Sequence, residues 1–159
     1  MALHIRPATP ADEAAAVAFN AAMALETEGK TLHEPTLRAG VRAALADPAK
    51  GFYLMAERDG EVVGQLMVTT EWSDWRNGWY WWIQSVFVKP EARGAGVFRA
   101  VFDHLKAKAV ADPTVIGIRL YVEHGNERAR RLYAALGLSD EPYRLMGVYP
   151  LPGREAAYM

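Results

Sequence analysis

The sequence has no cysteine, which excludes disulfides, thiolate-bound metals and a thiol nucleophile. It also lacks an excess of either charge, since 18 basic residues meet 19 acidic ones and the formal net charge is -1. Such a balance gives no bulk attraction to nucleic acid or to an anionic membrane. Small molecules are the expected partners. No apolar run approaches the roughly 20 residues of a membrane span. The first residues lack the basic, apolar and cleavage regions of a secretion signal, so a cytoplasmic protein is expected. His4, His33 and His104 are too scattered for ligand spacing, and no metal is implied. What is present is a composition 51% apolar over 159 residues, enough for the core of a single domain spanning residues 1–159.

Periodicity divides the chain into alternating strands and helices. A short strand is expected at 3–6, followed by Thr9-Pro10-Ala11-Asp12, a capped start with proline at the first helical position. Val17, Ala18, Ala21 and Leu25 form the stripe of one helix, and Leu37, Val41, Ala44 and Leu45 that of a second. A polar loop at 26–35 separates them. Strands are expected at 52–57 and 62–71 around the Asp59-Gly60 turn, and at 79–88 after the Asn77-Gly78 turn. A helix over 94–110 turns Val97, Val101, Phe102 and Leu105 inward. A strand at 115–122, a helix opened by Asn126 and a last strand at 144–149 complete a mixed, mostly antiparallel α/β sheet flanked by helices.

The junction from Ser85 to Phe98 reads as a strand, a glycine loop and a helix start. Gly94 and Gly96 have no Cβ to hold an anion off the backbone, and the first helical turn points unpaired N–H groups at the loop. A pyrophosphate fits such a junction, and so does an ordinary tight turn. A dinucleotide fingerprint needs Gly or Ala where Arg99 stands, and the Gly-Lys-Ser/Thr of a P-loop is absent. Val88-Lys89-Pro90 followed by Arg93, Gly94 and Gly96 resembles the acetyl-CoA loop of the GNAT acyltransferase superfamily, with Phe98 standing where that pattern has its last Gly or Ala. The run Asn126 to Gly137, with Leu132-Tyr133 inside it, resembles the second signature of the same superfamily. Asn126 also suits an N-cap, Gly137 a C′ residue, and Tyr133 a core aromatic beside Ala129, Leu132 and Leu136.

The resemblance covers residues 52–149 well and implies the GNAT fold, with a sheet splayed between its fourth and fifth strands to admit acetyl-CoA. It implies pyrophosphate binding by Arg93, Gly94, Ala95, Gly96, Val97, Phe98 and Arg99. Backbone groups of Val86, Phe87 and Val88 would hold the thioester and pantetheine, with Asn126 beside them. Tyr133 stands where the family places its general acid. Gln84 takes the position where relatives often have a glutamate base; it cannot accept a proton, but it can bond a substrate or a water. Glu123, Glu71 and His124 are other candidate bases.

All five tryptophans, Trp72, Trp75, Trp79, Trp81 and Trp82, lie around the Asn77-Gly78 hairpin. They suit either the wall of an ammonium pocket, with Trp75 and Trp82 as contacts, or a homodimer interface. Glu26 and Glu28 in the first inter-helix loop are candidate partners for a cationic acceptor. The expected activity is N-acetyl transfer from acetyl-CoA to a small primary amine, such as a diamine or amino acid, in a ternary complex. The alternatives are a non-catalytic acyl-CoA-binding module and an acetyltransferase acting on protein N-termini or lysines.

Overall fold

The structure is a computed structural model and describes residues 2–157. Its elements run β1 (Leu3–Pro7), α1 (Glu13–Glu28), α2 (Glu34–Ala46), β2 (Phe52–Arg58), β3 (Glu61–Ser73), β4 (Gly78–Val88), α3 (Val97–Val110), β5 (Val115–Leu120) and α4 (Glu127–Ala135). Short 3-10 turns at Pro10–Asp12 and Pro90–Ala92 precede α1 and the glycine loop. The strands lie in chain order, β1 to β4 antiparallel and β5 parallel to β4.

Alternation along β2 explains how one sheet supports two cores. Leu54 and Ala56 face α3 with Leu66, Val68, Trp81, Ile83, Val101 and Leu105, whereas Tyr53 and Met55 face α1 and α2 with Val17 and Val41. Leu54, Leu66 and Leu105 are fully buried, and each such side chain stabilises the fold by about 1.5–3 kcal/mol. Between Met55 and Phe87 in register, Gln65 of β3 is buried and donates to Asn20 of α1 at 2.8 Å.

The two hairpins differ from one another. Asp59 and Gly60 both have positive φ, 55° and 77°, as a two-residue primed turn requires. In the second, Asn77 alone has positive φ, the loop takes four residues, and Gly78 already belongs to β4. Glycine is needed there because a Cβ would lie 2.5 Å from Cγ2 of Ile116 on β5.

The strand expected at 144–149 does not form. That stretch follows α4 without a sheet partner, and Leu145 and Met146 remain 78% and 93% exposed. Pro142 and Pro150 have no N–H to give a ladder and Gly147 has no side chain to pack, so apolar alternation alone did not secure a partner.

Candidate active site

Two departures in β4 create the site. Register runs from Leu66↔Val86 to Val68↔Ile83, so Gln84 and Ser85 stand opposite the single Met67 in a β-bulge. On the other edge, pairing with β5 ends at Ile83↔Leu120 while β4 continues to Val88. Residues 84–88 therefore keep backbone groups free of a neighbouring strand on that side, which opens the wedge between β4 and β5.

The glycine loop closes the wedge at one end. Gly94 and Gly96 hold φ of 80° and 78°, a left-handed conformation that glycine adopts without strain. No protein atom lies within 4 Å of where either Cβ would be, so the space in front of both is open to an anion. Helix α3 starts at Val97, not at Gly94, and the N–H groups of its first turn have no partner within the helix. Ala95 and Arg99 are exposed, while Val97 is buried in the core. Phe98 is the second residue of α3. Its ring turns inward, 6.2 Å from the ring of Phe102 and 5.9 Å from that of Tyr133, edge-on to the latter.

Helix α4 is fixed at both ends by its own sequence. Asn126 Oδ1 accepts from the Ala129 N–H at 3.1 Å, and at the other end Gly137, at φ 95°, donates to Ala134 O while Leu138 donates to Tyr133 O. This places Tyr133 over the wedge. Burial pushes its phenol above the ordinary tyrosine value.

A cavity of about 240 Å³ lies between Met23, Val86, Phe87, Phe98, Leu132 and Tyr133. It is smaller than a drug-sized pocket and suits the end of a thin chain. Arg93 crosses its mouth, donating from Nε to Val88 O at 2.9 Å and pairing through both terminal nitrogens with Glu26 at 2.6 and 2.9 Å. The guanidinium holds the Glu26 carboxyl below its usual range. Phe87, under Arg93, stacks on Phe19 at 5.1 Å, which fixes the floor.

Beyond Tyr133 the wedge widens into an open cleft of about 2070 Å³ bordered by Trp75, Trp82, Arg119, Glu123 and Glu141. Trp75 is 86% exposed at the hairpin tip. Trp82 donates to Glu71 at 2.9 Å, and Gln84 donates to Thr69 Oγ1 at 3.0 Å. Glu123 is exposed at the rim, and its carbonyl accepts from the Asn126 N–H. Glu28 pairs with Lys30 at 3.2 Å, outside the residues lining either cavity. Arg119 and Tyr121 also border this cleft, and neither belongs to a motif. A lone arginine inside the apolar strand Val115–Leu120 was the available signal. Among the described residues, no cluster of three or more His, Asp or Glu suits a metal, and no helix is long and apolar enough to cross a membrane.

Residues 18–138 match the acetyltransferase (GNAT) family. The chain is 36% identical over 140 residues to a mycothiol acetyltransferase of Streptomyces griseus, covering 85% of this chain but 42% of that protein. An uncharacterised N-acetyltransferase of Methanocaldococcus jannaschii is 34% identical over 107 residues, 67% of this chain and 64% of the relative. The chain thus spans less than two thirds of either. Among solved structures, a possible acetyltransferase from Clostridium difficile 630 superposes with a TM-score of 0.88 at 40% identity, covering 93% of this chain and 97% of that one.

Proposed function

The chain belongs to the GNAT acetyltransferase family, and we propose that it transfers an acetyl group directly from acetyl-CoA to the primary amine of a small cationic molecule. The observation that carries this reading is the position of Tyr133, which lines both the narrow cavity and the wide cleft. A donor thioester entering from the loop side and an acceptor entering from the cleft meet at that ring.

The chain's groups divide the work. The N–H groups of the glycine loop and of the first turn of α3 bind the donor pyrophosphate. The backbone edge at Val86 to Val88, unpaired with β5, orients the pantetheine arm and stabilises the oxyanion as the amine nitrogen bonds to the thioester carbon. Tyr133 gives its proton to the sulfur as the carbon–sulfur bond breaks, leaving amide and free CoA. A phenol of pKa about 10 protonating a thiolate of about 8.5 is slightly uphill, and the raised pKa of Tyr133 adds to that slope, so the group serves best as the sulfur begins to leave. Gln84 cannot take the amine's proton; Glu123 at the rim, directly or through water, is the base.

The direct test is free-CoA release on adding amines from a panel of diamines, amino acids and peptides. Steady release with small amines supports the reading. Release with peptides alone shifts it to protein substrates, and no release with any amine leaves a binding module.

A further inference from the structure

On the α1–α2 face of the sheet, β4 presents Gln84, Trp82 and Tyr80 in a row from the bulge to the hairpin. Thr69 and Glu71 of β3 flank the row on one side, Arg119 and Gly117 of β5 on the other. The Trp82 ring stacks on Tyr121 at 4.5 Å and its indole N–H donates to Glu71 Oε1 at 2.9 Å. The guanidinium of Arg119 lies 3.5 Å from the centroid of the Tyr80 ring, with Nη1 on the same Glu71 oxygen at 3.1 Å and Nε on Glu141 at 2.6 Å. Gly117 makes the room, because a Cβ there would stand 2.6 Å from Cε1 of Tyr80.

This corner already accommodates two guanidinium groups, Arg119 held by aromatic faces and carboxylates together and Arg76 5.5 Å from the Tyr80 ring, the chemistry that recognises ammonium and guanidinium groups. Glu71 and Glu141 both pair with Arg119, and with Arg76 on the Tyr80 ring the four charges balance, so room for a further cation depends on what Glu71 leaves unused. Both contacts to Glu71 use Oε1, and its side chain is 49% exposed on the cleft, so the carboxylate retains capacity for another donor. Glu26 differs, being bidentate with Arg93.

We infer that Glu71, walled by the stacked Trp82 and Tyr121, binds a second cationic group of the acceptor while the reacting amine lies at the bulge. The inference rests on the reading of the chain as an amine acetyltransferase and names the class of amine. Same-face positions on a strand are about 7 Å apart. The bulge at Gln84 and the carboxylate of Glu71, which Trp82 touches and Tyr80 faces in register, are separated by one to two such steps. The acceptor is then an α,ω-diamine, or an amine ending in a guanidinium, with its two cations on the order of 7–14 Å apart.

The experiment compares kcat/KM for 1,6-diaminohexane and n-hexylamine, which differ only in the second cation. Wild-type protein should prefer the diamine, and Glu71→Gln should lower the ratio of the two about five- to tenfold, through KM. Asp74→Asn removes an equal charge from the rim of the same cleft and should leave the ratio as it is. Equal kcat/KM for both amines in the wild type, or a ratio that Asp74→Asn lowers as much as Glu71→Gln does, overturns the subsite alone. Release of CoA with neither amine removes the small-amine reading and the subsite together. Thermal melts of both variants separate local effects from loss of fold.

Discussion

Arg93 and Glu26, 67 positions apart in the chain, form a bidentate pair that joins the last turn of α1 to the loop before α3. Both side chains are more than a third exposed, so the pair contributes little to stability, about 0–1 kcal/mol. Its consequence is local. Arg93 also bonds Val88 O, so the pair ties the loop to the end of β4 and sets the mouth of the narrow cavity.

Glu26→Gln should therefore act on the donor side. We expect a two- to fivefold rise in the CoA dissociation constant by calorimetry, with a smaller change in amine KM. A larger change in amine KM than in CoA affinity would return Glu26, which lies in the last turn of α1 and not in the expected loop, to the acceptor role that its charge suggests.

Gly96→Leu should weaken CoA binding strongly while the protein still folds. No protein atom lies near the added Cβ, so the cost to folding comes from φ of 78°, about 1–2 kcal/mol for a residue with a side chain. The side chain then occupies the open space in front of the loop. A folded variant with wild-type CoA affinity, judged by melting and calorimetry together, would place the pyrophosphate elsewhere.

Tyr133→Phe keeps the ring against Phe98 and removes only the hydroxyl. Turnover should fall about a hundredfold, the low end for a general acid with a fair leaving group, while CoA affinity and melting temperature hold. Because burial raises the phenol's pKa, the wild-type enzyme should not lose kcat through ionisation of this acid below pH of about 10. Wild-type kcat in the variant, with chemistry shown to limit the rate, would leave Tyr133 a packing residue.

Asp12 gives the fold an acid-sensitive joint. Its carboxylate accepts from Arg6 Nη1 and Nη2 at 2.8 and 2.9 Å and from the Thr9 N–H at 2.8 Å, and these bonds, Arg6 first, hold its pKa below the usual value. The unfolded chain therefore binds the proton more readily than the folded one. The stabilisation is complete above the unfolded pKa of about 3.9 and is lost as pH falls through the lower folded value. Asp12→Asn should cost about 2 kcal/mol at pH 7 and flatten the fall in stability below pH of about 4, read by urea titration across pH. An unchanged acid limb in the variant would assign that sensitivity to other carboxylates.

Local signals in the sequence were sufficient where one residue's backbone preference decides the geometry. Gly94 and Gly96 are left-handed in the loop, Asn126 caps α4 and Gly137 ends it, because a missing Cβ or a short polar side chain acts within a few positions of itself. The apolar periods likewise placed five strands and four helices, since burial on one face repeats with the pitch of the element. Tertiary structure decided what depends on partners distant in the chain. It produced the Gln84–Ser85 bulge, which is a relation between two strands, and left residues 144–149 without the neighbour that a strand requires. It matched Glu26 with Arg93, and it brought Glu71, Tyr80, Trp82, Arg119 and Tyr121 together from three strands and the turn that follows them. A side chain's charge and shape are written in the chain, but which opposite charge meets it is fixed only when the sheet closes and sets positions tens of residues apart within hydrogen-bond reach.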